Sequence, residues 1–188
     1  MRIYTRGGDR GKTSLIGGKR RYKDDLRVRA YGAVDEAGAF VGLAVAHLEQ
    51  EGHFDMVSVL QEVSQVLWDV GADLAVPSSV QNYAFRTPTD AAALLEPLID
   101  RYAAESDKIQ KFVLRGGSLG SAYSHVACTV VRRAEREVVA LMRVESIHEP
   151  TLQYLNRLSD LLFVMARAAN ARSHRDEVAY RHSPDVFR

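Results

Sequence analysis

The sequence predicts an all-α fold, an up-and-down bundle of five helices in a single domain. Three observations predict it. Apolar residues recur every three or four positions through five separate segments, the spacing of a helix face. Turn-forming stretches, among them VPSSVQNYAFRTP and RGGS, separate those segments. Nowhere do strand-like runs alternate with helices as a parallel sheet requires. The 188 residues and 46% hydrophobic content suit one domain with a substantial core.

Residues 1–25 are rich in Gly, Lys, Arg and Asp with no helical period, and read as an arm or loop. The bundle is expected over 26–172 and a polar tail over 173–188. The first helix starts at Leu26, with Val28, Tyr31, Val34, Val41, Val45 and Leu48 at helical spacing, and Gly52 supplies its stop. A second covers about 54–75, with Val57, Leu60, Val63, Leu67, Val70 and Leu74 on its apolar side. A third follows Thr89 as N-cap and carries Leu94, Leu98 and Tyr102, with Pro97 forcing either a kink or a start near 96. KFVLRGGS, a short apolar run ending in two glycines, is a strand-like linker or the entry to a turn. The fourth helix spans roughly 119–145 on a stripe of Val126, Val130, Ala134, Val138 and Leu141. Pro150-Thr151 opens the fifth, with Leu152, Leu155, Leu158, Leu162 and Met165 inward.

Composition narrows the function classes. Twenty-five Lys and Arg against 24 Asp and Glu leave a net charge of +1, unlike the basic face of a nucleic-acid binder. One cysteine, Cys128, forms no internal disulfide and fits a reducing, cytoplasmic compartment. No apolar run reaches the ~18 residues of a membrane span. The histidines lack the His-x-x-x-His pairing of a built-in transition-metal site.

The stretch YTRGGDRGKTSL imitates a P-loop, ending in Gly11-Lys12-Thr13. A Walker-type loop needs glycine at position 6, which is Arg6; counted from Gly7, three residues rather than four precede Gly11. Its chemistry still suits an anion. Glycines admit backbone N–H groups close to a phosphate, Thr5, Thr13 and Ser14 offer hydroxyls, and Arg6, Lys12 and Lys23 offer charge. A basic N-terminus that binds nothing fits the spacing equally well.

Two helical faces carry polar constellations. HVACTVVRRAEREV sets His125, Cys128, Arg132 and Arg136 along one line, with Glu135 three positions from Arg132. Such arginines can clamp a polyphosphate while the glutamate fixes a guanidinium or receives Mg²⁺; a solvated face with an Arg–Glu pair is the plainer reading. YLNRLSDLLFVMAR places Asn156, Asp160, Phe163 and Arg167 on one face, and Arg157 and Asp160 three apart. The carboxylates of Asp35 and Glu36, inside the apolar first helix, call for cationic partners. No nucleophile–base pair is present, so spacing alone stops at a helical domain able to bind an anion.

Five segments together resemble one family, the PduO-type ATP:cob(I)alamin adenosyltransferases: YTRGGDRGKTSL, KDDLRVRAYGAVDEAGAFVG, KFVLRGGS, HVACTVVRRAER and YLNRLSDLLFVMAR, with a family-like DVFR ending. The resemblance runs from Tyr4 to Arg167 in the family's order. It implies a ferritin-like five-helix bundle, a homotrimer with active sites between subunits, and an N-terminal ATP-binding arm. Thr5, Arg6, Gly7, Gly8, Thr13 and Ser14 would wrap the ATP triphosphate, and Lys23, Arg132, Glu135, Arg136 and Asn156 would complete the nucleotide site, with Glu135 as the Mg²⁺ ligand.

The implied reaction transfers the 5′-deoxyadenosyl group of ATP to the cobalt of cob(I)alamin, giving adenosylcobalamin and tripolyphosphate. Phe112, His125, Cys128 and Asp35 fall in the implied corrinoid region; Phe112 takes the place of the wall that drives off the lower axial ligand, and Arg132, Phe112 and Asp35 are the implied catalytic set. A flavoprotein reductase and adenosylcobalamin-dependent enzymes are the implied partners. Four positions in three segments depart from the family pattern. Cys128 stands where an arginine usually pairs with the aspartate matching Asp35, Arg115 replaces a proline, and Arg6-Gly7 replaces Lys-Thr. A P-loop-like ATPase or kinase, or a non-catalytic corrinoid-binding bundle inactivated at Cys128, are the alternatives.

Overall fold

A computed structural model describes residues 2–186; Met1 and the last two residues of the DVFR ending lie outside the described residues. In chain order the elements are strands β1 (Lys12–Ser14) and β2 (Arg20–Tyr22), helices α1 (Leu26–Gln50) and α2 (Phe54–Leu74), a 3₁₀ turn (Ala93–Leu95), and helices α3 (Glu96–Ala103), α4 (Leu119–Met142) and α5 (Glu149–Arg172). The long helices pack as α2–α1–α4–α5, and α3 lies along α5.

Each long helix buries residues in alternating steps of four and three: Ala30, Val34, Ala37, Val41, Ala44 and Leu48 in α1, Ala127, Val131, Ala134, Val138 and Leu141 in α4. This is the seam of a left-handed bundle. The alanines of α1 and α4 let those two backbones approach, which explains why this contact is the most extensive. Val28, Tyr31 and Val45, expected inward, flank the seam half-buried, and Val126 is exposed.

The helix ends follow local chemistry. Asp25 accepts from the Arg27 amide to cap α1, and Ser118 caps α4 through the Ser121 amide. Gly52 turns the chain between α1 and α2 at φ 81, a left-handed conformation costly for other residues. Pro97 and Pro150 lie in the first turns of α3 and α5, where a missing N–H costs nothing. The third helix therefore starts at Glu96, the later of the two expected starts; it runs eight residues, and Thr89 sits in a turn instead of capping it.

Two further expectations change. The arm is not wholly a loop: β1 and β2 pair antiparallel, with Thr13 opposite Arg21. Nor is the tail simply a polar end. It folds back, and Leu114 N donates to Val178 O at 2.8 Å while Tyr180 N donates to Phe112 O at 2.7 Å.

Buried polar side chains hold the joints. Arg27 is fully buried and donates to Leu74 O, Val76 O and Ser146 O, tying the start of α1 to the ends of α2 and α4. Asp73 accepts from the Arg86 and Thr87 amides and pins the long α2–α3 loop. Asn170 bonds Gly116 O and the Ser118 amide. It lies so close to Gly117, at φ 115, that a side chain there would overlap it.

Candidate functional site

The stretch of the arm before β1 is a loop braced by the Arg20 side chain. Arg20 donates to Gly7 O at 2.6 Å and to Lys12 O at 3.2 Å, gathering residues 7–12 into a compact turn. Thr5, Arg6 and Gly7 are exposed, Arg6 in a left-handed conformation at φ 58. Gly8 faces Lys23 so closely that an added Cβ would lie 3.1 Å from its Nζ. Ser14 is exposed on β1 opposite Arg20. Thr13 and Lys23 then line a groove of about 520 Å³ with Val28, Tyr31, Glu36 and Arg133. Gly11-Lys12-Thr13 thus enters an antiparallel hairpin instead of a helix, and the P-loop alternative falls with the parallel sheet it would need.

Across α4 a second groove, of about 430 Å³, is lined by Arg132, Glu135, Arg136, Val139, Asn156, Ser159 and Asp160. The expected Arg132–Glu135 pairing is replaced. Glu135 accepts from Asn156 Nδ2 at 2.8 Å, and Arg132 Nε donates to Ser159 Oγ at 3.3 Å. Arg136 donates to Arg132 O at 3.1 Å, and Arg157 pairs with Asp160 at 3.3 Å as their spacing foretells. The terminal nitrogens of Arg132 have no acceptor among the described residues, which suits an anionic ligand.

Arg132 and Arg133 are neighbours in sequence but point about 100° apart. Arg133 faces α1 and pairs with Glu36, which finds the cation its position demands. The nucleotide candidates are therefore divided: Thr13 and Lys23 line the arm groove, while Arg132, Glu135, Arg136 and Asn156 line the α4–α5 groove. One chain does not bring them together.

Phe112 is 55% exposed on a segment held by the folded-back tail, with its amide bonded to Ser183 Oγ at 2.8 Å. His125 is buried, its ring centroid 5.9 Å from that of Phe163. Burial, then the nearby Arg115 charge, lowers its pKa to about 4, so it is neutral at physiological pH. Cys128 is buried and its thiol donates to Ser159 O at 3.2 Å; burial pushes its pKa up, so it is an unreactive thiol. Asp35 is exposed and has no ion-pair partner among the described residues. His125 and Cys128 thus belong to the core side of α4, and Arg132 to its half-buried edge.

No group of three His, Cys, Asp or Glu suited to a metal occurs among the described residues. Glu145 and His148, spaced Glu-x-x-His, point apart, to Arg27 and to Thr87 O respectively. Among the described residues no helix is long and apolar enough to cross a membrane. Sequence reasoning missed the buried Arg167–Glu177 pair at 2.7 Å, which anchors the tail. It also missed Ser159. Neither carries a local signal, since Glu177 sits in an irregular polar stretch.

The family model described as Cobalamin adenosyltransferase matches residues 3–169. The corrinoid adenosyltransferase of Bacillus subtilis (strain 168) is 47% identical over 189 aligned positions, covering 100% of this chain and 96% of that protein. That of Citrobacter freundii is 41% identical, covering 88% and 93%. Among solved structures, an F112H variant of the PduO-type ATP:corrinoid adenosyltransferase from Lactobacillus reuteri, complexed with cobalamin and ATP, superposes with a TM-score of 0.93 at 39% identity over 99% of this chain and 100% of that one. An R132K variant of the PduO-type enzyme from the same organism, complexed with ATP, gives 0.86 at 38% identity over 95% and 100%.

Proposed function

The chain belongs to the cobalamin adenosyltransferase family, and on that premise we infer that it transfers the 5′-deoxyadenosyl group of ATP to the cobalt of cob(I)alamin, releasing tripolyphosphate. The α4–α5 groove carries this reading: two arginines one turn apart, each with guanidinium nitrogens that have no acceptor among the described residues, line it beside Asn156.

Co(I) is itself the nucleophile, which accounts for the lack of a nucleophile–base pair in the protein. As the C5′–O bond breaks, negative charge gathers on the leaving tripolyphosphate. Arg132, Arg136 and Lys23 stabilise that charge more in the transition state than in the ground state. Holding C5′ in line with cobalt supplies the orientation term. Glu135 and Asp160 line the groove, and one or two carboxylates with substrate phosphates make the usual Mg²⁺ environment. The metal there would neutralise the triphosphate. Phe112, exposed on its strapped segment, offers an apolar wall to the lower corrin face. Losing the lower axial ligand there makes Co(II) easier to reduce.

We assign the active form as a cytoplasmic homotrimer in which the arm of one subunit closes over the Arg132 groove of the next. The division of the nucleotide residues between two grooves supports this, as does the lone free cysteine for the compartment. A flavoprotein reductase and adenosylcobalamin-dependent enzymes are the partners this chemistry calls for.

The test is turnover with ATP and chemically reduced cobalamin, following adenosylcobalamin and tripolyphosphate. Release of ADP instead would assign a kinase. At ATP well below the wild-type KM, Lys23→Ala and Arg132→Ala homotrimers should each show little turnover. Random reassembly of the two in equal amounts should restore about a quarter of the sites, since each site then draws its halves from different copies. No recovery would overturn the shared site.

A further inference from the structure

A three-residue, two-stranded hairpin is not stable alone, yet Thr13 and Lys23 are useful only if β1 and β2 are held in place. Two ties hold them. At the turn end, Leu15 is buried and Ile16 N donates to Ala75 O at 3.1 Å, docking the turn on the C-terminus of α2. At the open end the tie is ionic. Arg21 donates to Asp25 Oδ2 at 2.8 Å and to Glu145 Oε1 at 3.1 Å. The other oxygen of Glu145 accepts from Arg27 Nε at 3.2 Å and Nη2 at 3.1 Å.

Arg27 cannot move to suit the arm. Its side chain is wholly enclosed, and its remaining donors are committed to backbone carbonyls of α2 and of the chain after α4. Two guanidiniums and two carboxylates close a neutral quartet, partly shielded from water, with Arg21 and Glu145 each about a fifth to a quarter exposed. In such a setting charge-assisted bonds outweigh the median surface ion pair. Burial opposes the Arg21 charge, but Asp25 and Glu145 outweigh it and the guanidinium is held more firmly protonated. Arg21 is the member that belongs to the arm, and its cross-strand partner is Thr13, so fixing Arg21 fixes the backbone that presents Thr13 and, two residues on, Lys23.

We propose that Arg21 and Glu145 are positioning residues that clamp the hairpin onto the bundle in the pose that receives the ATP triphosphate, without touching the nucleotide. The proposal rests on the reading of the arm as part of the nucleotide site. It separates ATP affinity from the chemical step: a released arm costs ordering on binding, whereas the bound geometry, once formed, is unchanged.

The test uses the full-length enzyme and its Arg21→Gln variant, which leaves the buried Arg27–Glu145 pair intact; Glu145→Gln is the companion, riskier for folding because it strips Arg27 of its counter-ion. Three quantities are measured: KM for ATP, kcat at saturating ATP, and hydrogen–deuterium exchange of the 12–22 amides without nucleotide. Arg21→Gln should raise KM for ATP roughly tenfold, leave kcat within about twofold, and speed exchange across the hairpin. Raised KM with unaltered exchange would place Arg21 on the nucleotide itself and overturn the clamp. Lys23→Ala is the control. If it raises KM while Arg21→Gln changes neither KM nor exchange, the clamp alone is wrong; if Lys23→Ala leaves KM unchanged, the nucleotide role of the arm falls and the proposal with it.

Discussion

Glu135 accepts a 2.8 Å hydrogen bond from Asn156, joining α4 to α5 beside the guanidiniums of Arg132 and Arg136. The amide thereby holds a carboxylate that would otherwise pair with Arg132 three residues back on the same helix. Among the described residues the terminal nitrogens of Arg132 are left without an acceptor, available to an anion.

Removing that restraint should weaken nucleotide binding. In Asn156→Ala, Glu135 is free to turn to Arg132 or Arg136, and KM for ATP should rise by roughly tenfold, the scale of one charged hydrogen bond. Asn156 is exposed, so thermal stability should change by less than about 0.5 kcal/mol. Steady-state kinetics and a melting curve check both; unchanged KM would show that Glu135 does not compete with the nucleotide.

Phe112 presents an aromatic face that the core does not need. Phe112→Ala should cost no more than about 0.5 kcal/mol of stability, unlike a buried phenylalanine. It should also abolish the electron-paramagnetic-resonance signature of four-coordinate Co(II) with ATP present. A retained signature would remove Phe112 from the corrin wall.

Asp55 couples stability to acid. Hydrogen bonds from Arg172, against the opposing effect of burial, hold its carboxyl far below the ordinary 3.8, and the Tyr102 hydroxyl adds to this. The folded state thus binds the proton less readily than the unfolded chain. The stabilisation is complete above the ordinary carboxylate range and is lost as pH falls below 3.8 toward the depressed value. Asp55→Asn should therefore melt lower than wild type near pH 7, with the gap narrowing steadily below pH ~4. A gap independent of pH would attribute the loss to packing.

Cys128 is an inert thiol where the resemblance implies an arginine facing Asp35. Cys128→Arg should raise kcat and lower the melting temperature together, because a cation must be accommodated where a thiol now bonds Ser159 O. Unchanged kcat would show that the thiol does not limit turnover.

The helices were legible because their causes are local. Apolar steps of four and three, Asp25 and Ser118 as caps, and Gly52 as a stop act within a few residues of one another. The RRAER arginines and Asn156 were legible as candidates for the same reason. Which arginine faces which groove was not, because the 100° turn between Arg132 and Arg133 gains meaning only when α1 and α5 flank α4 on different sides.

By itself, then, the sequence determined the five helices, the glycine-bearing basic arm and the family motifs, since each rests on short-range periodicity or spacing. Tertiary structure alone decided that Arg21 meets Glu145, 124 residues away, that Glu177 in a polar tail closes on Arg167, and that the candidate nucleotide residues divide between two grooves. Contacts between distant segments depend on how the helices stack, and side-chain packing across the bundle leaves no periodic trace along the chain.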